Sequence, residues 1–148
     1  MSAAIFGLLG VVVGAVLTGG VDYVMARRQE KAELRQSTRL VADELHSLWL
    51  MVDLILERGQ LPPARLPGEE AELLFSTDSW QAHKPVLARG LRQEQWRALA
   101  TVYAAVESMR VVILRTPDLP LDTEGSSALI EMRDQTAQLY TRLTGQPL

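Results

Sequence analysis

The chain of 148 residues predicts an all-α fold, an N-terminal transmembrane helix continuing into a small antiparallel bundle of about four helices. Three observations carry that prediction. Residues 2–21 form an apolar run without one charged side chain. Through most of the remaining chain, apolar residues recur at steps of three and four, the spacing of one helix face. No segment alternates apolar and polar residues at period two for long enough to make a strand. At this length the chain holds one membrane segment, residues 1–26, and one compact domain, residues 27–148, with connecting loops at 59–76 and 115–126.

The run SAAIFGLLGVVVGAVLTGGV has about 20 residues, which at a rise of 1.5 Å span about 30 Å, the hydrocarbon thickness of a bilayer. A secretory signal peptide places basic residues before a shorter apolar core. Here none precedes the run, and Arg27 and Arg28 follow it. Thr18 and Gly20 match the small residues of a cleavage site, so export and processing stand as the alternative to a retained anchor. The basic residues put the amino terminus outside and the rest in the cytoplasm, which locates the chain in the inner (cytoplasmic) membrane. Tyr23 falls in the interfacial belt, and Asp22 reads as an interfacial carboxylate beside the arginines. Gly7, Gly10, Gly14 and Thr18 share a stripe where small residues allow close helix association, although glycine is frequent in unpaired membrane helices too.

Beyond the run, Leu34, Thr38, Val41, Leu45, Leu48, Val52 and Ile55 recur at alternating steps of four and three, the seam of a bundle helix. Neither glycine nor proline interrupts residues 21–58, so one helix extends to Gly59, and Pro62 and Pro63 prevent its resumption. The glycine stripe and this seam differ in phase. The seam is expected to pack inside the domain and the stripe to pair anchors.

After a connector, STDSWQAH offers Asp78 as N-cap with Gln81 three residues on, so a helix begins near Ser79. Pro85 lacks the amide that would bond back to Gln81, so this helix either kinks there or starts at Lys84 with Pro85 in its first turn. Gly90 marks a break. Residues 94–114 then carry Trp96, Leu99, Tyr103, Val106, Met109 and Ile113 on one face. TPDLPLDTEGSS is a turn-rich linker, after which Ser126 or Ser127 caps a last helix bearing Leu129, Met132, Thr136, Tyr140 and Leu143 and ended by Gly145 and Pro147.

The chemistry is sparse. Without cysteine there are no disulfides, thiolate metal sites or cysteine nucleophiles. A net charge of -3 predicts no polyionic partner, but the charges are segregated: basic residues dominate residues 27–39, and acids dominate 43–78, where they read as a solvated surface. His46 and His83 lack metal-ligand spacing, and the glycines fit neither a phosphate loop nor a dinucleotide fingerprint. No metal, cofactor or catalytic residue is expected, and the protein is read as not an enzyme. Trp80 and His83 share one helix face, Trp96 and Tyr103 another; these four fill the core or line a pocket. Arg27, Lys31, Arg35 and Arg39 repeat every four residues beside Arg28, a juxtamembrane row that suits anionic lipid headgroups at about 1 kcal/mol each or serves as a topology signal. No basic surface continues beyond it, so nucleic acid is not a partner.

STDSWQAHKPVLARGLRQEQWRALATVYAAVESMR resembles a pattern of small uncharacterised single-pass membrane proteins of actinobacteria, in which a Trp-x-x-His helix is followed by leucine, a second tryptophan and a tyrosine. Trp80, His83, Leu87, Leu91, Trp96 and Tyr103 carry the resemblance over about a quarter of the chain, and Pro85 departs from it. The resemblance implies an anchor and a fold, and no activity. The sequence therefore supports a non-enzymatic membrane protein whose cytoplasmic bundle binds another protein or its own copies. The alternative is a membrane-tethered ligand-binding or sensory module with a pocket between helices.

Overall fold

The computed structural model describes the backbone of residues 2–61, 75–115 and 120–148, and the side chains of these from residue 21 onward except Leu114. Four helices account for nearly all of it: α1 (Ser2–Arg58), α2 (Asp78–Gly90), α3 (Gln93–Arg115) and α4 (Thr123–Thr144). Among the described residues there is no strand; an isolated antiparallel bridge joins Gln60 to Pro120. The chain divides into two compact units, Met1–Arg35 and Gln36–Leu148, with the division inside α1.

In the first unit every side chain from residue 21 to residue 33 is exposed, including Val21, Tyr23, Val24 and Met25. The Arg27 guanidinium lies over the Tyr23 ring, 5.2 Å from its centroid. Gly7, Gly10, Gly14 and Thr18 lie outside the residues whose side chains are described. Among the described residues no helix is long and apolar enough to cross a membrane.

The second unit is the bundle. From Thr38 onward the predicted seam of α1 is its inner face: Val41, Leu45, Leu48, Val52 and Ile55 are buried and Thr38 is half-buried, whereas Leu34, also half-buried, belongs to the first unit. Trp80 and Leu87 of α2 pack in the same core, as do Leu99, Val102, Tyr103, Val106 and Ile113 of α3 and Leu129, Met132, Thr136 and Leu139 of α4. Each fully buried side chain of this kind stabilises the fold by about 1.5–3 kcal/mol. Thr136 is tolerated in the core because its hydroxyl donates to the Met132 carbonyl at 2.8 Å. Gly59 ends α1 in the left-handed region at φ 67°, its amide bonding to the Ile55 carbonyl at 3.0 Å. Its own carbonyl accepts from the Leu121 amide at 3.0 Å, tying the end of α1 to the entrance of α4.

Two helix starts, those of α2 and α4, differ from the sequence reading. Asp78 is not the cap of α2 but its first residue; the N-cap is Thr77, and its side chain makes no capping bond. The start at Lys84 is overturned, since α2 runs from Asp78 through Pro85 to Gly90. The cap of α4 is Asp122 rather than Ser126 or Ser127: its Oδ1 accepts the Gly125 amide at 2.7 Å, which moves the helix start to Thr123. Asp122 is easily passed over in the sequence because Asp-Thr follows a proline-rich stretch and looks like more linker. The expected loop residues 62–74 and 116–119 lie outside the described residues.

Candidate functional site

A buried polar constellation of the bundle is built on Glu44, a carboxylate of α1 only 9 % exposed. Its position follows from the helix period. Ser37, Val41, Glu44 and Leu48 step by four, three and four, so Glu44 sits on the flank of the buried seam. Burying a carboxylate is costly without donors, and three are supplied. The Ser79 amide donates to Oε1 at 3.2 Å, the Trp80 amide to Oε2 at 3.0 Å, and the Tyr103 hydroxyl to Oε2 at 2.7 Å. Glu44 therefore does from another helix what an N-cap does from its own, placing a negative charge on the free amides at the start of α2.

The reason α2 needs this help is local. The Thr77 hydroxyl, which would ordinarily cap, donates instead to Glu107 Oε1 of α3 at 3.2 Å. Burial pushes the Glu44 carboxyl above its ordinary value, with Asp78 adding in the same direction, against the three donors that favour its charged form. Burial, then the bond to Glu44, pushes the Tyr103 hydroxyl far above its ordinary value, so it stays a donor.

Of the four residues singled out for a pocket or core, three form one aromatic stack. Trp80 lies parallel to Tyr103, with centroids 4.7 Å apart and planes 3° off parallel, and meets Trp96 at 5.0 Å. Trp80 and Tyr103 are buried and Trp96 is half-buried. Lys84 Nζ stands 5.7 Å from the centroid of the Trp80 ring. His83 is half-buried, its Nδ1 3.1 Å from the Ser37 hydroxyl of α1. This is core packing that also fixes α2 against α1 and α3.

Two cavities in this unit lie elsewhere. One of about 280 Å³ is lined by Leu40, Asp43, Glu44, Ser47 and Leu48 of α1 with Ser76 and Ser79 at the start of α2. The other, about 370 Å³ and largely apolar, lies between α3 and α4, where Ala105, Ser108, Gly125 and Ala128 are too small to fill the space beside Met109, Val112, Leu129 and Met132. None of Trp80, His83, Trp96 and Tyr103 lines either one.

Of the other acids in the stretch of α1 expected to be solvated, Asp43 and Glu57 are exposed, Asp53 is half-buried, and Glu44 is the correction. His46, beside Asp43 and Glu44 in sequence, is exposed and rests on the Tyr140 ring at 5.9 Å. Among the described residues no group of three or more histidines and carboxylates is arranged to hold a metal ion. Asp53 Oδ1 of α1 pairs with Arg133 of α4 at 3.2 Å. Arg27, Arg28, Lys31, Arg35 and Arg39 are all exposed. The Glu44 hub and the Thr77–Glu107 bond were missed by the sequence reading; the step pattern around Val41 was the one signal that Glu44 faces inward. No protein-family model, curated protein or solved structure matches the chain.

Proposed function

We propose that this is a non-enzymatic single-pass protein of the inner membrane whose cytoplasmic helical bundle mediates protein interaction, with another protein or with its own copies. One observation carries the reading. The helix that forms the bundle's inner seam is the same helix, α1, that begins in the charge-free run at residues 2–21. Where that run ends, Val21, Val24 and Met25 are exposed apolar side chains, followed at once by Arg27 and Arg28. Such a sequence of apolar span, aromatic Tyr23 and basic cluster suits a bilayer, its interface and the cytoplasmic headgroups in turn. The polar constellation of the bundle supports a structural reading, since each oxygen of Glu44 is engaged in holding helices together.

The test is purification of the full-length chain from native membranes in mild detergent, with mass determination, beside a Gly10→Leu, Gly14→Leu variant. The expected result is a complex in the parent that is lost or weakened in the variant, with the intact amino terminus retained. A monomer in both, with nothing bound, or recovery in the soluble fraction, would overturn it. A second reading, a membrane-tethered ligand-binding module, rests on the apolar space between α3 and α4 and not on the aromatic stack.

A further inference from the structure

The N-terminal unit sorts its charges to two sides of α1. At about 100° per residue, Arg27, Lys31, Arg35 and Arg28 fall within an arc of about 100°, and Asp22, Glu33 and Glu30 within an arc of about 80° on the opposite side. All seven side chains are exposed. Glu30 stands three residues after Arg27, a spacing at which opposite charges on a helix ordinarily pair. Among the described residues, however, the ion pairs are those of Arg133 with Asp53 and with Asp134, so no acid of the unit is paired with its basic side. Arg27 lies instead over the Tyr23 ring, 5.2 Å from its centroid. Val24 falls inside the basic arc and is 49 % exposed. Arg39, the last of the basic row, belongs to the second unit and is not part of this face.

A topology signal needs basic residues close to an apolar run, and their position around the helix is immaterial to it. Here that position is sorted. We infer that the basic side of α1 at Arg27, Arg28, Lys31 and Arg35 is a binding face for anionic phospholipid headgroups. The inference rests on the membrane-anchored reading, in which residues 27–35 leave the bilayer one turn after another. From Arg27 to Arg35 the helix rises about 12 Å, whereas the headgroup layer is about 5–8 Å deep. An upright helix would carry Arg35 beyond it. Membrane helices tilt by about 20° on average. Leaning toward its basic side lowers Lys31 and Arg35 toward the phosphates, which their long stems then reach, and lifts Glu30 and Glu33 away. Charge complementarity thus selects an anionic surface, and Val24 and Tyr23 narrow it to lipid. An apolar and an aromatic side chain beside the cations suit the boundary between headgroup and hydrocarbon. The backbone of a nucleic acid has no apolar layer beside its phosphates.

Lys31 and Arg35 are the informative residues, because Arg27 and Arg28 remain to set topology when they are changed. The full-length chain, a Lys31→Gln, Arg35→Gln variant and a Glu30→Gln, Glu33→Gln variant would be reconstituted in phosphatidylcholine vesicles with phosphatidylglycerol as the minor lipid. Each is then extracted in mild detergent, and the phospholipids it retains are counted by mass spectrometry. The expected result is phosphatidylglycerol enriched several-fold over its share of the vesicle on the parent chain. That enrichment should fall to the vesicle ratio in the Lys31→Gln, Arg35→Gln variant or in high salt, and persist in the Glu30→Gln, Glu33→Gln variant. Lipid at the vesicle ratio on the parent, enrichment untouched in the basic-side variant, or equal loss in both variants overturns the inference. So does nucleic acid that stays on the purified parent and is lost from the basic-side variant. Chain that enters the bilayer without enrichment sinks the inference and leaves the anchor standing. Chain that stays outside the bilayer sinks the anchor; its sedimentation with phosphatidylglycerol vesicles and not with phosphatidylcholine vesicles would still uphold the face, and sedimentation with both or neither would overturn it.

Discussion

Glu44 shows how much a single side chain on the flank of a seam can organise. Its carboxylate reaches two amides of α2 and the hydroxyl of Tyr103, so three helices meet at one group. Replacing it by glutamine turns one acceptor oxygen into an NH₂ that faces a donor. Glu44→Gln is therefore expected to lower unfolding free energy by roughly 1–3 kcal/mol, measured by urea titration of the full chain in detergent. Tyr103→Phe removes the shortest of the three bonds and is expected to cost about as much, with near-unchanged helix content by circular dichroism. The pH dependence has a defined sign. The folded carboxyl is raised above its ordinary 4.5, chiefly by burial, so between 4.5 and the folded value the native state holds a proton that the unfolded state has lost. Stability from this group is full below 4.5 and falls as pH rises through the folded value. The difference in stability between the parent and Glu44→Gln should shrink across that window if the group behaves so; a difference independent of pH would refute it.

At the scale of the element, the helix ends carry the testable content. Pro85 sits inside α2 and is exposed, so the Gln81 carbonyl forgoes its intrahelical bond. Pro85→Ala restores that bond and should raise stability by about 1–3 kcal/mol, read as a higher melting temperature. Gly59 is left-handed with open space where a Cβ would stand. The cost of Gly59→Ala is thus purely conformational, about 1 kcal/mol. Asp122→Ala removes the cap of α4, at about 0.5–2 kcal/mol. Gly125→Ala perturbs the same cap by another route, since a Cβ there would stand 3.1 Å from Asp122 Oδ1. The seams of α1 and α3 were legible in the sequence because each is long and strictly spaced. The capping of α2 was not, since it depends on a residue thirty-five positions away in the chain.

On the scale of the molecule, every buried side chain among the described residues lies at Ser37 or beyond. A fragment of residues 36–148 should therefore fold and unfold cooperatively without the N-terminal segment; a non-cooperative melt would show that the core needs residues before Gln36.

The sequence by itself determined the all-α fold class, the length of α1 and the faces that form the core. These depend on periodicity and on uninterrupted apolar length, which are local properties of the chain. Only the tertiary structure decided which helix caps which, and that Trp80, Trp96 and Tyr103 stack on one another. It also decided which leucines of α1 stay in the open. Those outcomes hinge on which surfaces meet in three dimensions, and Glu44 is the case in point: its burial is affordable only where the amides of α2 and the hydroxyl of Tyr103 converge on it.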